Sequence, residues 1–245
     1  MDWNPGIKAA LDQILKTQEP QKVAVFDADG TLWHDDLGEA FFKYQIEHKL
    51  APGLKGIADP WSHYRALCKT NTAAAYGWLA QINAGLPDNE LLLQARAFYT
   101  GAFKDKINPN LRSLIQNLKN NNFEVWICTA SIRWAIAPAM LDLNLDPRFL
   151  IAVDVQLDSK NRLTSKVVDP IPYRPGKKIW LDRKLPNPPL LVAGNSMGDL
   201  EMMSMALKLP LTIIFLPHLP EIKESEEGLM IEASKRGWPI QIFQQ

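Results

Sequence analysis

Two periods of apolar residues run along this chain, and they divide it into elements. Ile7, Leu11, Ile14 and Leu15 recur at three and four residue spacing over 7–17, which predicts an amphipathic helix closing before Pro20. Lys22-Val-Ala-Val-Phe26 is a short apolar run that stops abruptly at Asp27-Ala-Asp-Gly-Thr-Leu-Trp33. Such a run reads as a buried parallel strand delivering polar residues at its C-terminal edge, where open α/β sheets bind ligands.

From Asp36 to about Gly101 the pattern is helical: Trp61, Tyr64, Cys68, Ala75, Trp78 and Ile82 keep the spacing, and Leu91, Ala95 and Phe98 continue it after Pro87 and a predicted Asp88 cap. Alternation of helix and strand then resumes. Asn108 caps a helix with Pro109 at its first position and Leu111, Leu114, Ile115 and Leu118 on one face, leading into the strand 123–128. Ser131 to Leu143 predicts a helix that Pro138 should kink. The runs 149–157 and 162–168 flank the polar turn Asp158-Ser-Lys-Asn161 and predict a β-hairpin. Leu190 to Ala193 is a strand entering Gly194-Asn-Ser-Met-Gly-Asp199 and a Met-rich helix, and Leu211 to Leu216, between Pro210 and Pro217, is the last strand the pattern defines. Residues 218–245 carry no clear period.

Composition narrows the functional classes. Of 245 residues 47% are hydrophobic and 22% charged, enough for a substantial core in one α/β domain with an insert. The 27 basic and 27 acidic residues cancel, so no global field draws the protein to nucleic acid or anionic lipid, and an anionic ligand needs a local site. Cys68 and Cys128 lie in apolar stretches, and two cysteines make neither a disulfide framework nor a metal-binding spacing; both are expected to be buried thiols. No segment approaches the ~18 to 20 apolar residues that span a bilayer, and the N-terminus has no basic n-region or apolar h-region, so a soluble, cytoplasmic chain is expected.

Three strands end in polar clusters: Asp27 and Asp29 after the first, Thr129 and Ser131 after the second, and Asn195, Ser196 and Asp199 after a later one. Parallel strands put these ends on one side of a sheet. Two carboxylates two residues apart repel each other unless a cation lies between them, which suggests an oxygen-lined Mg2+ site. The Thr129 hydroxyl, backbone N–H groups in the Gly30 turn and a lysine such as Lys177 would supply donors to a phosphoryl group. Taken singly, each feature has a plainer explanation: Asp before Gly shapes turns, and Thr129 or Ser131 could cap the next helix. Their order along successive strands is what gives them weight.

That order, an apolar strand ending in Asp27-Ala-Asp-Gly-Thr-Leu-Trp33, a second ending in Thr129-Ala-Ser131, a lysine opening a helix and then Gly194-Asn-Ser-Met-Gly-Asp199, resembles the haloacid dehalogenase superfamily over roughly residues 20–216. The insert is similar to a type C1 cap, and the hairpin followed by Gly176-Lys177 is similar to the phosphoserine phosphatase branch. The resemblance implies a Rossmann-like three-layer α/β/α core with a parallel sheet, formed by 1–34 and 102–245, and a helical cap over 35–101. It also implies a Mg2+-dependent phosphomonoester hydrolase acting on a small phosphorylated metabolite through an aspartyl-phosphate. Asp27 matches the nucleophile, Asp29 the general acid/base, Thr129 the phosphate-binding hydroxyl and Lys177, rather than Lys178, the motif lysine.

Asp27, Asp29, Asn195 and Asp199 are the expected metal ligands, although many phosphatases of this branch carry Asp where this chain has Asn195. Gly30, Thr31, Ser131, Asp36 and Arg65 are the expected substrate contacts. Asp36, nine residues after Asp27, has a spacing similar to that of an acid that receives a substrate ammonium, which would suit phosphoserine, phosphoethanolamine or phosphocholine; it also stands where an acid caps a helix. A metal-independent dehalogenase and a non-catalytic phosphometabolite-binding protein are the alternatives, and Asp29 argues against the first because halide leaves without a proton. Zinc is not indicated by the four histidines. Trp33, Trp61 and Trp78 are expected in the core of the cap.

Overall fold

The computed structural model describes residues 3–216 and 224–244. It divides the chain into two compact units, one of Met1–His34, Lys106–Cys128 and Pro172–Gln245, the other of Asp35–Asp105 and Thr129–Ile171. The helical segment 35–101 thus shares its unit with 129–171.

A parallel sheet organises the first unit. Strands β1 (Val23–Phe26), β2 (Glu124–Ile132), β6 (Leu191–Gly194), β7 (Leu209–Leu216) and β8 (Ile240–Gln244) stand in the order β2-β1-β6-β7-β8; β2 runs on past Cys128 into the second unit, to which β3 (Leu150–Val153), next to it in the strand order, belongs. β1 pairs in parallel with β2 on one side and β6 on the other, with Phe26 opposite both Ile127 and Ala193. All four residues of β1 are buried, as a strand covered on both faces requires. The architecture is α/β and Rossmann-like.

Helix α1 (Pro5–Leu15) buries Ile7, Leu11 and Ile14, the stripe the sequence marks. In α6 (Pro109–Asn120) the Asn108 side chain accepts the N–H groups of Asn110 and Leu111, with Pro109 at the first position and Leu111, Leu114, Ile115 and Leu118 buried. α8 (Pro175–Lys184), the short α9 (Leu200–Met203) and α10 (Glu224–Arg236) complete the unit's helices among the described residues. α10 and β8 come from the stretch without a clear period; Pro217 and 218–223 lie outside the described residues. β8 buries Gln241 and Phe243 and turns Ile242 outward, so its apolar alternation is out of step with its buried face.

The second unit contains α2 (Leu37–Glu47), α3 (Pro60–Thr70), α4 (Thr72–Gln81), α5 (Asp88–Ala102) and α7 (Arg133–Asp142), with α5 packed on α7 and α4 on β5 (Leu163–Val167). Phe42 anchors an aromatic cluster, with Tyr64 and Trp78 at 5.6 Å and Trp61 at 6.2 Å between ring centroids. Trp33, in contrast, is buried in the first unit. The run 149–157 is not one strand: β3 follows β2 in the strand order, and only β4 (Val155–Leu157) forms the antiparallel hairpin with β5. Asp154 marks the break, because its carboxylate accepts the Val155 N–H and the Arg133 Nε–H. Asp88 does not cap α5. Its Oδ1 accepts instead from Arg133 Nη2 at 2.8 Å and Trp134 Nε1 at 2.9 Å, and Pro87 holds the cap position. Cys128 is buried, whereas Cys68 is half-buried. Among the described residues no helix is long and apolar enough to cross a membrane.

Candidate active site

The register of β1 against β6 brings two sequence-distant segments together. Phe26 lies opposite Ala193, and the Asp27 N–H, one residue on, donates to the Ala193 carbonyl at 2.9 Å. Asp27 and the Gly194–Asp199 loop therefore leave the sheet side by side.

After Asp27 the chain folds into a tight turn in which Thr31 and Leu32 N–H groups donate to the Ala28 carbonyl. Gly30 has φ +77°, and a Cβ there would run into the Asn195 side-chain amide, so both backbone conformation and space require glycine. The turn aims the Thr31 hydroxyl at Asp27 Oδ2, 3.0 Å away, with Asn195 Oδ1 at 3.3 Å. Asp29 points toward a different neighbour: its Oδ1 accepts the Trp33 indole N–H at 2.8 Å.

Asp199 organises the second segment. Its Oδ2 accepts the Asn195 and Ser196 N–H groups, both at 3.1 Å, and the Ser196 hydroxyl at 3.3 Å, which folds the loop around the carboxylate. A Cβ on Gly194 would lie 2.6 Å from Asp199 Cβ, so this glycine is what permits the close approach.

Lys177 enters from the first turn of α8. Only 3% exposed, its Nζ donates to Asp27 Oδ1 at 2.5 Å and to Asp199 Oδ1 at 2.6 Å. Its neighbour Lys178 turns to the surface and pairs with Asp182.

Two buried carboxylates therefore share one ammonium. Burial, joined by the Asp199 charge, pushes Asp27 up from 3.8 to about 7 against the pull of Lys177. Burial alone would discharge Lys177, but Asp199 and Asp27 outweigh it and hold the ammonium above the ordinary lysine range. With both carboxylates ionised, the cluster of Asp27, Asp199 and Lys177 carries more negative than positive charge in a water-poor setting, and further positive charge would stabilise it. Asp27 and Asn195 present oxygens there. Among the described residues no group of three His, Cys, Asp or Glu side chains is placed to hold a metal ion, so a cation at this point would rest on Asp27, the Asn195 amide oxygen and water. Cys128 is no competing nucleophile, since burial pushes its thiol up to about 12.

Of the residues singled out in the sequence, Asp27, Gly30, Thr31, Lys177, Asn195 and Asp199 converge in the first unit, and Asp29 stands at the turn beside them. Thr129, Ser131, Asp36 and Arg65 belong to the second unit. Thr129 is buried and its hydroxyl accepts the Ser131 N–H at 3.1 Å; neither caps α7, whose cap position is Ile132. Asp36 does cap α2, its Oδ1 accepting the Glu39 N–H at 2.7 Å, and the Arg65 guanidinium stands 3.7 Å from Glu39. Glu226 on α10 escaped the sequence reading: its Oε1 accepts the Asn195 amide Nδ2–H at 3.1 Å. It belongs to no spaced motif, and only the contact reveals it.

The model of the haloacid dehalogenase-like hydrolases matches residues 24–204. The chain is 28% identical over 181 residues to a phosphorylcholine phosphatase of Pseudomonas aeruginosa, covering 59% of this chain and 51% of the relative, so it spans about half that protein's length. Similar folds occur in a conserved, functionally unknown protein from Anaerococcus prevotii (TM-score 0.73, 13% identity, 98% of this chain and 92% of that one). Another is a phosphoserine phosphohydrolase-like protein from Francisella tularensis (TM-score 0.57, 19% identity, 86% and 93%).

Proposed function

This chain belongs to the haloacid dehalogenase-like hydrolases, and from that premise we propose that it is a Mg2+-dependent phosphomonoesterase with Asp27 as nucleophile. The observation that carries the proposal is the way Asp27 is held, with Oδ1 on Lys177 and Oδ2 on Thr31 at the C-terminal end of β1. A carboxylate fixed at both oxygens is oriented before substrate arrives, and orientation removes part of the entropic barrier to in-line attack.

In the proposed reaction an Asp27 oxygen attacks phosphorus, the phosphorus–oxygen bond of the ester breaks, and Asp29 gives its proton to the departing alkoxide. Asp29 then takes a proton from water as that water attacks the aspartyl-phosphate, which frees inorganic phosphate and restores Asp27. Lys177 donates to the transferring oxygens while its partner Asp199 keeps it charged and in place. Asp27, with one hydrogen bond on each oxygen, and the Asn195 Oδ1 are the proposed cation ligands; Asp199, whose Oδ2 already accepts three hydrogen bonds while Oδ1 takes Lys177, acts by position. Bound Mg2+ would supply the charge that offsets repulsion between an anionic nucleophile and a dianionic ester. The Thr129 hydroxyl is the proposed phosphate donor from β2.

The proposed substrate is a small phosphomonoester, with amine-bearing esters such as phosphocholine, phosphoethanolamine and phosphoserine the first to test, a choice supported by the activity named for the Pseudomonas relative. Asp36 remains the residue to examine for ammonium recognition. Phosphate release from an aryl phosphate and from these esters, with Mg2+ and with EDTA, tests the reading. EDTA-sensitive release is expected; no such release from any ester overturns it.

A further inference from the structure

The Gly194–Asp199 loop is held from outside by the start of α10. The Met197 N–H donates to the Ser225 carbonyl at 2.9 Å, and a Cβ on Gly228 would lie 2.9 Å from Met197 Cγ, so helix and loop are in close contact. Between these two points Glu226 receives the Asn195 Nδ2–H at 3.1 Å.

An asparagine side chain is nearly symmetric in shape but not in chemistry: one end accepts hydrogen bonds and the other donates. Thr31 does not hold the oxygen end in place, because its single hydroxyl proton lies closer to Asp27 Oδ2, at 3.0 Å, than to Asn195 Oδ1, at 3.3 Å. An ionised glutamate does, because it only accepts. Turning the Asn195 amide over would place Oδ1 against a carboxylate oxygen, two acceptors with no proton between them.

We propose that Glu226 is the positioning residue that sets the polarity of Asn195, keeping Oδ1 on the side of Thr31, free to act as an oxygen ligand. It also places a negative charge just behind an uncharged position 195. The geometry of the amide stands without a metal; its use as a cation ligand rests on the phosphatase reading above. Outer partners that orient a ligand in this way commonly alter metal affinity by about 10- to 100-fold. The arrangement further explains why asparagine is compatible with this place: an aspartate at 195 would point one carboxylate at another across the same short gap.

The test uses the full chain as wild type, E226Q, E226A, N195D and N195D/E226Q. Melting temperatures are measured in EDTA at pH 8, and Mg2+ affinity by calorimetric titration without substrate. In EDTA, N195D is expected to melt lower than wild type, and adding E226Q is expected to recover most of that loss, by about 3 °C or more. With Mg2+, E226Q and E226A should bind about 10-fold more weakly than wild type, N195D alone should gain little, and N195D/E226Q should bind more tightly than either single variant. Additive effects of N195D and E226Q in EDTA overturn the pairing. A wild type that binds Mg2+ with E226Q and E226A indistinguishable from it overturns the positioning role. A wild type that ignores Mg2+ sinks the cation reading instead, and the metal-free comparison still decides the pair.

Discussion

Replacing Lys177 by Met isolates the shared ammonium. The substitution roughly keeps the length of the side chain while removing its charge, and leaves Asp27 and Asp199 facing each other at positions 5% and 1% exposed. Breaking a buried ion pair by deleting one partner costs about 3–5 kcal/mol, because the remaining charge has neither water nor counter-ion. At this chain length each kcal/mol moves Tm by about 2–4 °C, so a fall of roughly 6–20 °C is expected at pH 8 in EDTA.

The pH dependence carries the sharper signature. Asp27 is raised from 3.8 to about 7 even with Lys177 beside it, a penalty on the folded anion of about 4 kcal/mol. A raised acid binds more protons folded than unfolded, so this contribution weakens the fold as pH rises from 3.8 toward 7 and is complete above that. Without Lys177 the raised value climbs further. The Tm gap between wild type and Lys177→Met should therefore be smaller near pH 5, where Asp27 is protonated in both and only the Lys177–Asp199 pair is lost, and widen toward pH 8. Lys178→Met is the control: its exposed pair with Asp182 is worth about 1 kcal/mol or less. A gap that does not change with pH, or equals that of Lys178→Met, would refute the shared-ammonium account.

Three further substitutions test neighbouring parts. Asp27→Asn should abolish phosphate release while leaving Tm at pH 8 equal or higher, since it removes a destabilised anion; an assay at near wild-type rate would exclude covalent catalysis. Thr31→Val loses the hydrogen bond to Asp27 Oδ2, costing about 1.5–3 kcal/mol of support for the anion, and the pH at which kcat/KM rises should move upward. Gly194→Ala forces a methyl against Asp199, an overpacking of about 1–3 kcal/mol readable as a lower Tm and slower turnover together.

The parts of this molecule legible in sequence are those whose side chains do the same job locally and globally. β1 is a run of buried residues and reads as one; Asn108-Pro109 caps α6 because the cap bond is local. The Asp27 turn and the Gly194 loop are legible for a related reason, since Gly30 and Gly194 are needed for close approach wherever such loops meet. Sequence reading fails where a residue answers to a distant neighbour. Asp88 looks like a cap and serves Arg133 and Trp134; Asp154 breaks a strand because Arg133 reaches it; β8 buries a glutamine.

Glu226 is the strongest case of this kind. Nothing in Glu224-Ser-Glu-Glu227 separates one glutamate from the others, and as a local pattern all three read as acids favoured at a helix N-terminus. Only the fold, by returning the chain as α10 against Met197, places one of them at the Asn195 amide. The departure visible in the sequence, an amide where a carboxylate is usual, and the glutamate that the sequence does not mark are then two halves of one arrangement. An amide is a better-prepared cation ligand when a partner already fixes which end faces inward, and in the proposed site a carboxylate thirty-one residues later along the chain does so.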